Sequence, residues 1–232
     1  MAATLVEDEV TRSSQVALDR REEILRSAVQ VISRRGHADT RLSHVAERAG
    51  VSQALVVYYF GTRESLLAQA LAYSDARFYE LAAAEMTRTS TAIRKLVRLL
   101  ELSCTAGSLD DPDEPAWVLW LDLWAVAARN PEVAEHRRKL DQHWRETIRA
   151  VVLQGVASGE FQAVNADDFT IRLAALVDGL AIQVALEDSE VDAARMLGLC
   201  LGYASSALGF ALPRRRAPRS SRARPERSDA VA

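Results

Sequence analysis

The sequence predicts an all-α protein of about nine helices, in which a small N-terminal three-helix unit precedes a larger helical body. Ala, Leu, Val, Arg and Glu dominate the 232 residues, whereas Gly and Pro number only ten and six, and this composition favours helices. Few segments alternate apolar and polar residues at the period of two that is typical of strands. An apolar content of 49% with 26% charged residues is that of a globular protein.

The first helix is expected at residues 19–35, where apolar side chains recur at helical spacing. Gly36 should end it, because glycine readily adopts the conformations that terminate helices. The apolar face of this helix consists of Ile24, Ala28, Val31 and Ile32.

Residues 1–18 are polar and acidic, and we expect them to form a disordered N-terminal arm. They lack the basic start and the apolar stretch of a secretory signal peptide. Cys104 and Cys200 lie far apart in no motif, as expected for small buried residues in a reducing compartment. These features predict a cytoplasmic protein.

Two short helices joined by a tight turn are predicted between residues 40 and 61. Thr40 is expected to cap the first helix, and Gly50 to end it in a left-handed conformation. Ser52 should cap the second helix, which runs to Phe60 and ends at Gly61. The apolar face of the first short helix consists of Leu42, Val45, Ala46 and Ala49.

Helices of two turns are not stable alone in water, so both must pack on neighbouring segments. This pattern is typical of a helix-turn-helix, whose second helix enters the major groove of DNA. An αα-hairpin inside any helical protein would look similar, and spacing alone leaves that alternative open.

A long fourth helix should begin after Thr62 and reach about Met86. We call residues 19–65 the head and residues 66–212 the body, so this helix starts in one and ends in the other. Residues 213–232 are expected to form a disordered basic tail. The other body helices are expected at 91–108, 115–129, 131–158, 167–186 and 190–212, with an acidic, proline-containing loop at 109–115.

The charge distribution is more informative than the net charge of −3. Residues 19–63 carry eight Arg against five acids, a net of +3, and residues 213–232 carry seven Arg against two acids, a net of +5. The remainder of the chain is therefore acidic. A basic head and tail on an acidic body suit contact with a polyanion at specific places.

Four short motifs occur in order across the two short helices and the start of the next. Across residues 20–72 the chain resembles the DNA-binding region of the TetR family of transcriptional regulators. An ordered combination of this kind is far more specific than a generic helix-turn-helix. The motifs are Ala49-Gly50-Val51-Ser52, Tyr58-Tyr59-Phe60, Gly61-Thr62-Arg63 and Glu64-Ser65-Leu66-Leu67.

The resemblance implies double-stranded DNA as a partner, and it carries the DNA-facing positions of the family onto this chain. We expect Phe60 to be buried and at least one neighbouring tyrosine to be exposed, with Val56 facing the core. Val57 departs from the family pattern, which usually has Tyr there, so Tyr58 should carry more of the phosphate contact. The DNA-facing residues are Arg41, Ser43, His44, Ser52, Gln53, Ala54, Leu55, Tyr58, Tyr59 and Arg63.

The chemistry of these residue types agrees with DNA binding. Arg63 can pair with a phosphate as a fork, and Tyr58 can donate a hydrogen bond to a phosphate oxygen. Gln53 can read adenine through two hydrogen bonds, while Ala54 or Leu55 can touch a thymine methyl group.

The C-terminal part of the chain also resembles the BetI-like branch of TetR regulators. This resemblance implies a small-molecule effector, of unknown identity, and makes a quaternary amine conceivable. The matching segments are Trp120, Trp124, Arg129-Asn130-Pro131, residues 155–161 and residues 176–180.

Trp117, Trp120 and Trp124 share one face of a single helix, because they lie at i, i+3 and i+7. Such a stripe either packs in a core or dimer interface or lines a ligand cavity in the body. Asp178 lies in a nearly apolar helix and could face a cationic ligand beside the indole rings. Asp122 is more easily explained as an exposed or paired acid.

No catalytic motif, phosphate-binding loop or cofactor motif occurs in the sequence, so we expect neither an enzyme nor a cofactor. His136 and His143 lie two turns apart, whereas metal-binding pairs on helices lie one turn apart. A metal site is therefore not predicted.

Small residues recur every fourth position along the last helix, at Ala194, Gly198, Gly202 and Ser206. Such a stripe lets another helix approach closely. A membrane anchor is disfavoured, because the uncharged stretch from 196 to 212 is short and contains Ser205 and Ser206. The TetR resemblance implies that this helix and the one at 167–186 form a four-helix homodimer interface.

Together these expectations describe a homodimeric DNA-binding regulator, in the simplest case a repressor released from a pseudo-palindromic operator by an effector. Two alternatives remain open at this point. One is a helical interaction or small-molecule-binding module that does not bind DNA, and the other is a helical enzyme that uses the tryptophan-lined cavity.

Overall fold

The computed structural model describes residues 2–105 and 116–212. Within these ranges it contains nine α-helices and no strand, which confirms the predicted all-α fold. The helices are α1 (Ala2–Asp39), α2 (Leu42–Arg48), α3 (Gln53–Phe60), α4 (Arg63–Thr87), α5 (Ala92–Ser103), α6 (Ala116–Ala127), α7 (Pro131–Ala157), α8 (Ala166–Ala185) and α9 (Ala193–Leu208).

The N-terminus differs from the expected disordered arm, because α1 begins at Ala2. No Gly or Pro interrupts residues 2–35, so nothing in the backbone ends the helix before Gly36. Residues 15–20 of this helix are exposed, and Val16 and Leu18 are about 60% exposed. The expected tail at 213–232 and the loop at 109–115 lie outside the described residues.

The predicted caps are confirmed in α3 and α4 but not in α2. The hydroxyl of Ser52 accepts a hydrogen bond from the Leu55 amide, and Thr62 caps α4 through the Ser65 amide. The prediction that Thr40 caps α2 is wrong, because Arg41 is the residue that precedes the helix. Thr40 is buried and instead donates its hydroxyl hydrogen to the carbonyl of Gly36.

The head has its own apolar core, formed by α1, α2, α3 and the first turns of α4. Val56 and Phe60 of the second short helix are buried in it, as predicted. Leu119 and Leu123 of α6 and Val133 of α7 belong to the same cluster. The body is therefore packed directly against the head, and α6 is shared between them.

The body has a second core, formed mainly by α4, α5, α7, α8 and α9. Both cysteines are buried within it, as the sequence predicts. On the outer side of α9, the stripe of small residues is exposed in the single chain. Within the described residues, no helix is both long and apolar enough to cross a membrane.

Candidate functional sites: the helix-turn-helix surface and an aromatic cavity

The helix-turn-helix presents α3 to solvent with only its inner side buried. Tyr58 is 80% exposed and Val57 is 44% exposed, whereas Val56 is fully buried. Gln53 and Ala54 are also exposed, and Leu55 is half-buried. Amphipathic helices normally place such apolar residues inward, so α3 is available to a partner.

Tyr59 is half-buried and packs against the head core. Its ring meets the Tyr58 ring edge to face at 5.3 Å between centroids. Its hydroxyl lies 3.5 Å from the carbonyl of Ala17 in the N-terminal extension of α1. Of the two tyrosines, Tyr58 is therefore the better placed for an outside contact.

Arg41 and Ser43 are exposed at the start of α2, beside the half-buried His44. The Nδ1 atom of His44 accepts a hydrogen bond from the Arg41 amide at 3.2 Å. Ser52 is exposed but already accepts the cap hydrogen bond from Leu55 at 3.2 Å. These contacts set the start of each short helix and leave the Arg41 and Ser43 side chains directed to the surface.

Arg63 has an internal contact that the sequence did not indicate. Its Nη1 atom donates to the carbonyl of Ala38 at 3.0 Å, and its Nε atom lies 3.6 Å from the carboxylate of Glu64. The side chain remains 40% exposed. Arg63 therefore joins the start of α4 to the segment before α2.

A cavity of about 280 Å³ lies between the body helices α4, α5, α6, α7 and α8 and is also lined by α1 of the head. It contains all four residues that the sequence proposed for a ligand site: Trp117, Trp120, Trp124 and Asp178. The same tryptophan face takes part in core packing, because Trp117 packs against the body core and Trp120 against the head core. Trp144, Phe78 and Tyr79 add further aromatic surface, and the Phe78 and Trp144 rings meet edge to face at 5.9 Å.

Three carboxylates line the same cavity. Burial raises the pKa of Asp75 to about 7. Burial, reinforced by the nearby Asp141 carboxylate, raises the pKa of Asp178 to about 6. Burial also raises the pKa of Asp141, opposed by Arg137 and Arg145. Buried carboxylates beside aromatic rings are suited to hold an organic cation.

Two arginines moderate this negative charge. Arg137 forms an ion pair with Asp141 at 2.7 Å, and Arg145 donates to the Asp141 backbone carbonyl at 3.2 Å. Asp141 is directly paired with Arg137, and the charges of Arg137 and Arg145 also oppose the rise in the pKa of Asp178. The pKa of Asp75 is raised by burial alone.

The sequence analysis missed most of the cavity residues on α4 and α7. A signal for them exists, since the cavity-lining positions of α7 recur at i, i+3, i+4, i+7 and i+8 on one helix face. That face mixes arginine, aspartate, leucine and tryptophan, so it does not stand out as an apolar stripe. The missed residues are Asp75, Phe78, Tyr79, Arg137, Asp141, Trp144 and Arg145.

Asp122 was expected to be exposed or paired with arginine, but it has a different partner. Its Oδ2 atom accepts a hydrogen bond from the backbone amide of His37 at 2.6 Å, and the contact is partly buried. Asp122 therefore joins α6 of the body to the end of α1 in the head.

The two histidines of α7 have separate partners. His143 stacks on Tyr79 with 3.7 Å between ring centroids, and its Nδ1 atom lies 3.7 Å from Asp75. His136 Nδ1 lies 3.0 Å from the carbonyl of Glu132. Across 2–105 and 116–212, no group of three or more His, Cys, Asp or Glu residues could hold a metal ion.

Family models match both parts of the chain. Residues 24–70 match the model of bacterial regulatory proteins of the tetR family, and residues 95–209 match that of the BetI-type transcriptional repressor C-terminal domain. The first match covers the end of α1, all of α2 and α3, and the start of α4. The second covers most of the body, including the cavity residues of α6, α7 and α8.

Comparison with individual proteins leads to the same family. The HTH-type transcriptional regulator BetI of Stenotrophomonas maltophilia is 26% identical over 186 residues, which cover 79% of this chain and 90% of the relative. BetI of Rhizobium meliloti is 27% identical over 189 residues, covering 82% and 89%. A transcriptional regulator from Saccharomonospora viridis, solved in complex with choline, is 31% identical with a TM-score of 0.71 and covers 80% of this chain and 94% of that chain.

Sequence motifs, fold and site geometry thus agree with the similarity to known proteins. An exposed helix-turn-helix is joined to a helical domain that encloses a cavity, and relatives of this arrangement are transcriptional regulators. The chain belongs to the TetR family, and it is a DNA-binding transcriptional regulator with a ligand-binding C-terminal domain of the BetI type.

Proposed function

We propose that this protein is a homodimeric transcriptional repressor whose operator binding is weakened by an organic cation bound in the body cavity. The observation that carries the proposal is the cavity, in which aromatic rings and raised-pKa carboxylates face one volume. This cavity shares α4 and α6 with the head. In this proposal the protein acts in the cytoplasm, and its regulation involves neither a catalytic step nor a cofactor.

The DNA contacts would come from the two short helices. Tyr58 and Arg41 would contact phosphates, since both side chains are exposed. Gln53, Ala54 and Leu55 would face base edges, because they occupy the first turn of α3. Ser43, His44, Ser52, Tyr59 and Arg63 would complete the surface, with Arg63 also holding Ala38.

The effector class follows from the chemistry of the cavity. Aromatic faces attract a cation through their quadrupoles, and this attraction is strongest where water is excluded. Asp75 and Asp178 would supply the opposite charge. The structural relative from Saccharomonospora viridis, which was solved with choline, supports a quaternary ammonium group as the first probe.

The dimer would form through α8 and α9. The exposed apolar residues are Ile171 and Ile182 of α8, Leu186 directly after α8, and Leu199 of α9, which are between 36% and 70% exposed. The stripe of small residues on α9 is also exposed, and it would let a second helix approach closely. Exposed apolar side chains of this density are typical of an association surface.

A gel-shift titration against the DNA that flanks the protein's own gene tests the proposal. We expect a salt-dependent shift, in which the binding constant falls steeply as salt rises. We also expect choline chloride to weaken binding more than potassium chloride at the same ionic strength. A chain that does not shift this DNA, or whose shift is equal with both salts, contradicts the corresponding half of the proposal.

A further inference from the structure

The segment from Gly36 to Thr40, which we call the junction, sets how the helix-turn-helix leaves α1. Gly36 breaks the helix with φ 75° and ψ 158°, and α2 begins two residues after Thr40. The hydroxyl of Thr40 donates to the Gly36 carbonyl at 2.7 Å, and its amide donates to the His37 carbonyl at 3.2 Å. The junction is thus a closed turn whose position determines that of α2 and α3.

Two side chains from outside hold this turn. Asp122 of α6 accepts from the His37 amide at 2.6 Å, and Arg63 of α4 donates to the Ala38 carbonyl at 3.0 Å. Asp122 belongs to the body, whereas Arg63 belongs to the start of the helix that links head and body. A carboxylate that accepts a hydrogen bond from a backbone amide forms one of the stronger charge-assisted contacts in proteins.

Asp122 accepts its hydrogen bond from the backbone amide of His37, not from a charged imidazole. His37 is 5% exposed, and burial with the Arg63 charge beside it lowers its pKa, against the opposing charges of Asp122 and Glu64. The imidazole is therefore neutral at neutral pH. A side-chain methyl group at Gly36 would lie 3.8 Å from the Asp122 carboxylate, which shows how closely α6 approaches the turn.

Asp122 lies on the helix that also carries the tryptophan face of the cavity. Trp117, Trp120 and Trp124 line the cavity, and Leu119 and Leu123 of the same helix are buried in the head core. A ligand that shifts α6 must therefore move the Asp122 carboxylate relative to the junction. Packed helices are close to incompressible, so such a shift is transmitted rather than absorbed.

We infer that Asp122 is a positioning residue that couples the cavity to the helix-turn-helix by holding the His37 amide. This inference rests on the proposed function and adds a route through α6 to the route along α4. Coupling between two sites requires an element whose position both sites influence, and α6 with the junction is such an element. Asp122 is not one of the residues that line the cavity.

The test compares full-length D122A, D122N and wild type, with Glu132→Ala as a control. D122N keeps an oxygen acceptor for the amide while losing the charge, and D122A removes the acceptor. Glu132→Ala removes the same charge at an exposed site in the first turn of α7. Hydrogen exchange at the His37 amide reports the contact itself, and operator affinity with and without choline reports the coupling.

In D122A we expect His37 exchange to rise at least about tenfold, whereas in D122N it should stay much closer to the wild-type rate. In the wild type, choline should weaken operator binding by a factor in the range of about 5 to 150 that is usual for allosteric coupling. In D122A this factor should fall below about 3. Choline affinity in the absence of DNA, measured by tryptophan fluorescence, should not change. Glu132→Ala should match wild type in all three measurements.

Two results would overturn the inference: unchanged His37 exchange in D122A, or an unchanged coupling factor in a D122A protein that still binds choline and operator. If choline leaves the fluorescence of the wild type unchanged, the proposed effector class fails. The Asp122 variants then still decide the positioning role through amide exchange and through operator affinity without ligand, which D122A should weaken and D122N should largely restore.

Discussion

At the scale of single residues, Tyr58 is the side chain whose exposure departs furthest from what folding alone requires. It is 80% exposed, although tyrosine is normally at least half-buried. We predict that Tyr58→Phe weakens operator binding about tenfold, the effect of one hydrogen bond to a charged phosphate. Fluorescence anisotropy with labelled operator DNA measures this change.

The matched control is Tyr73→Phe, which also removes one hydroxyl group. The Tyr73 hydroxyl donates to Glu22 of α1 at 3.3 Å and lies away from α3. This variant should bind operator like wild type, and the melting temperature of both variants should be close to that of wild type. Equal operator affinities for the Tyr58 and Tyr73 variants would remove Tyr58 from the contact surface.

The raised pKa of Asp75 predicts how the free energy of unfolding depends on pH. Its pKa is raised by burial from 3.8 to about 7, so between these values the folded protein holds a proton that the unfolded chain has released. The free energy of unfolding of the ligand-free protein should therefore fall as pH rises from about 4 to about 7. In Asp75→Asn, which stays neutral, thermal melting across the same pH series should show a shallower decline.

The same titration should have the opposite effect on the affinity for choline, which should rise with pH. As pH rises through the pKa values of Asp178, about 6, and Asp75, about 7, the cavity becomes more negative, so choline should bind more tightly at about pH 8 than at about pH 5.5. Tryptophan fluorescence titrations at both pH values measure this. A choline affinity that is independent of pH in wild type would show that neither carboxylate serves as the counter-ion.

At the scale of elements, the packing at the end of α7 explains why Gly155 occurs in the segment 155–161. A methyl group on Gly155 would lie 2.0 Å from the ring of Phe161, which is buried, and the Phe161 amide bonds to the Gly155 carbonyl. The chain turns at Gly159, where φ is 73°, and brings the phenyl ring back onto α7. The glycine is therefore needed for close packing rather than for helix termination.

We predict that Gly155→Ala lowers the free energy of unfolding by about 1–3 kcal/mol, the usual result of overpacking a core. Urea denaturation measures the loss. Gly179→Ala is the control, because nothing in the chain lies within 4 Å of the added methyl group and alanine is the better helix former. If both variants were equally stable, the ring would have to move at little cost, and the packing argument would be wrong.

At the scale of the whole molecule, the proposed dimer depends on the exposed stripe of α9. Gly198 has open space around it within the chain, so a larger side chain there disturbs nothing inside one subunit. We predict that Gly198→Glu produces monomers by light scattering and lowers operator affinity, because a single head binds one half-site only.

The control for this variant is Ala83→Glu, which adds the same side chain at an exposed position of α4. This variant should have the same molecular mass in solution as the wild type. A wild-type chain that is already monomeric at micromolar concentration, or a Gly198→Glu chain that stays dimeric, would place the association surface elsewhere.

The sequence alone determined the helical class, the order of the helices and the helix-turn-helix, because local spacing, caps and glycine stops act within one or two turns of chain. It also placed three tryptophans on one face and singled out Asp178, since helical periodicity is fixed by the backbone. Only the tertiary structure brought Asp75 of α4 and Trp144 of α7 to the same cavity, and only it gave Asp122 the amide of His37. These contacts join residues far apart in the chain, and no local pattern specifies which faces of separate helices will meet.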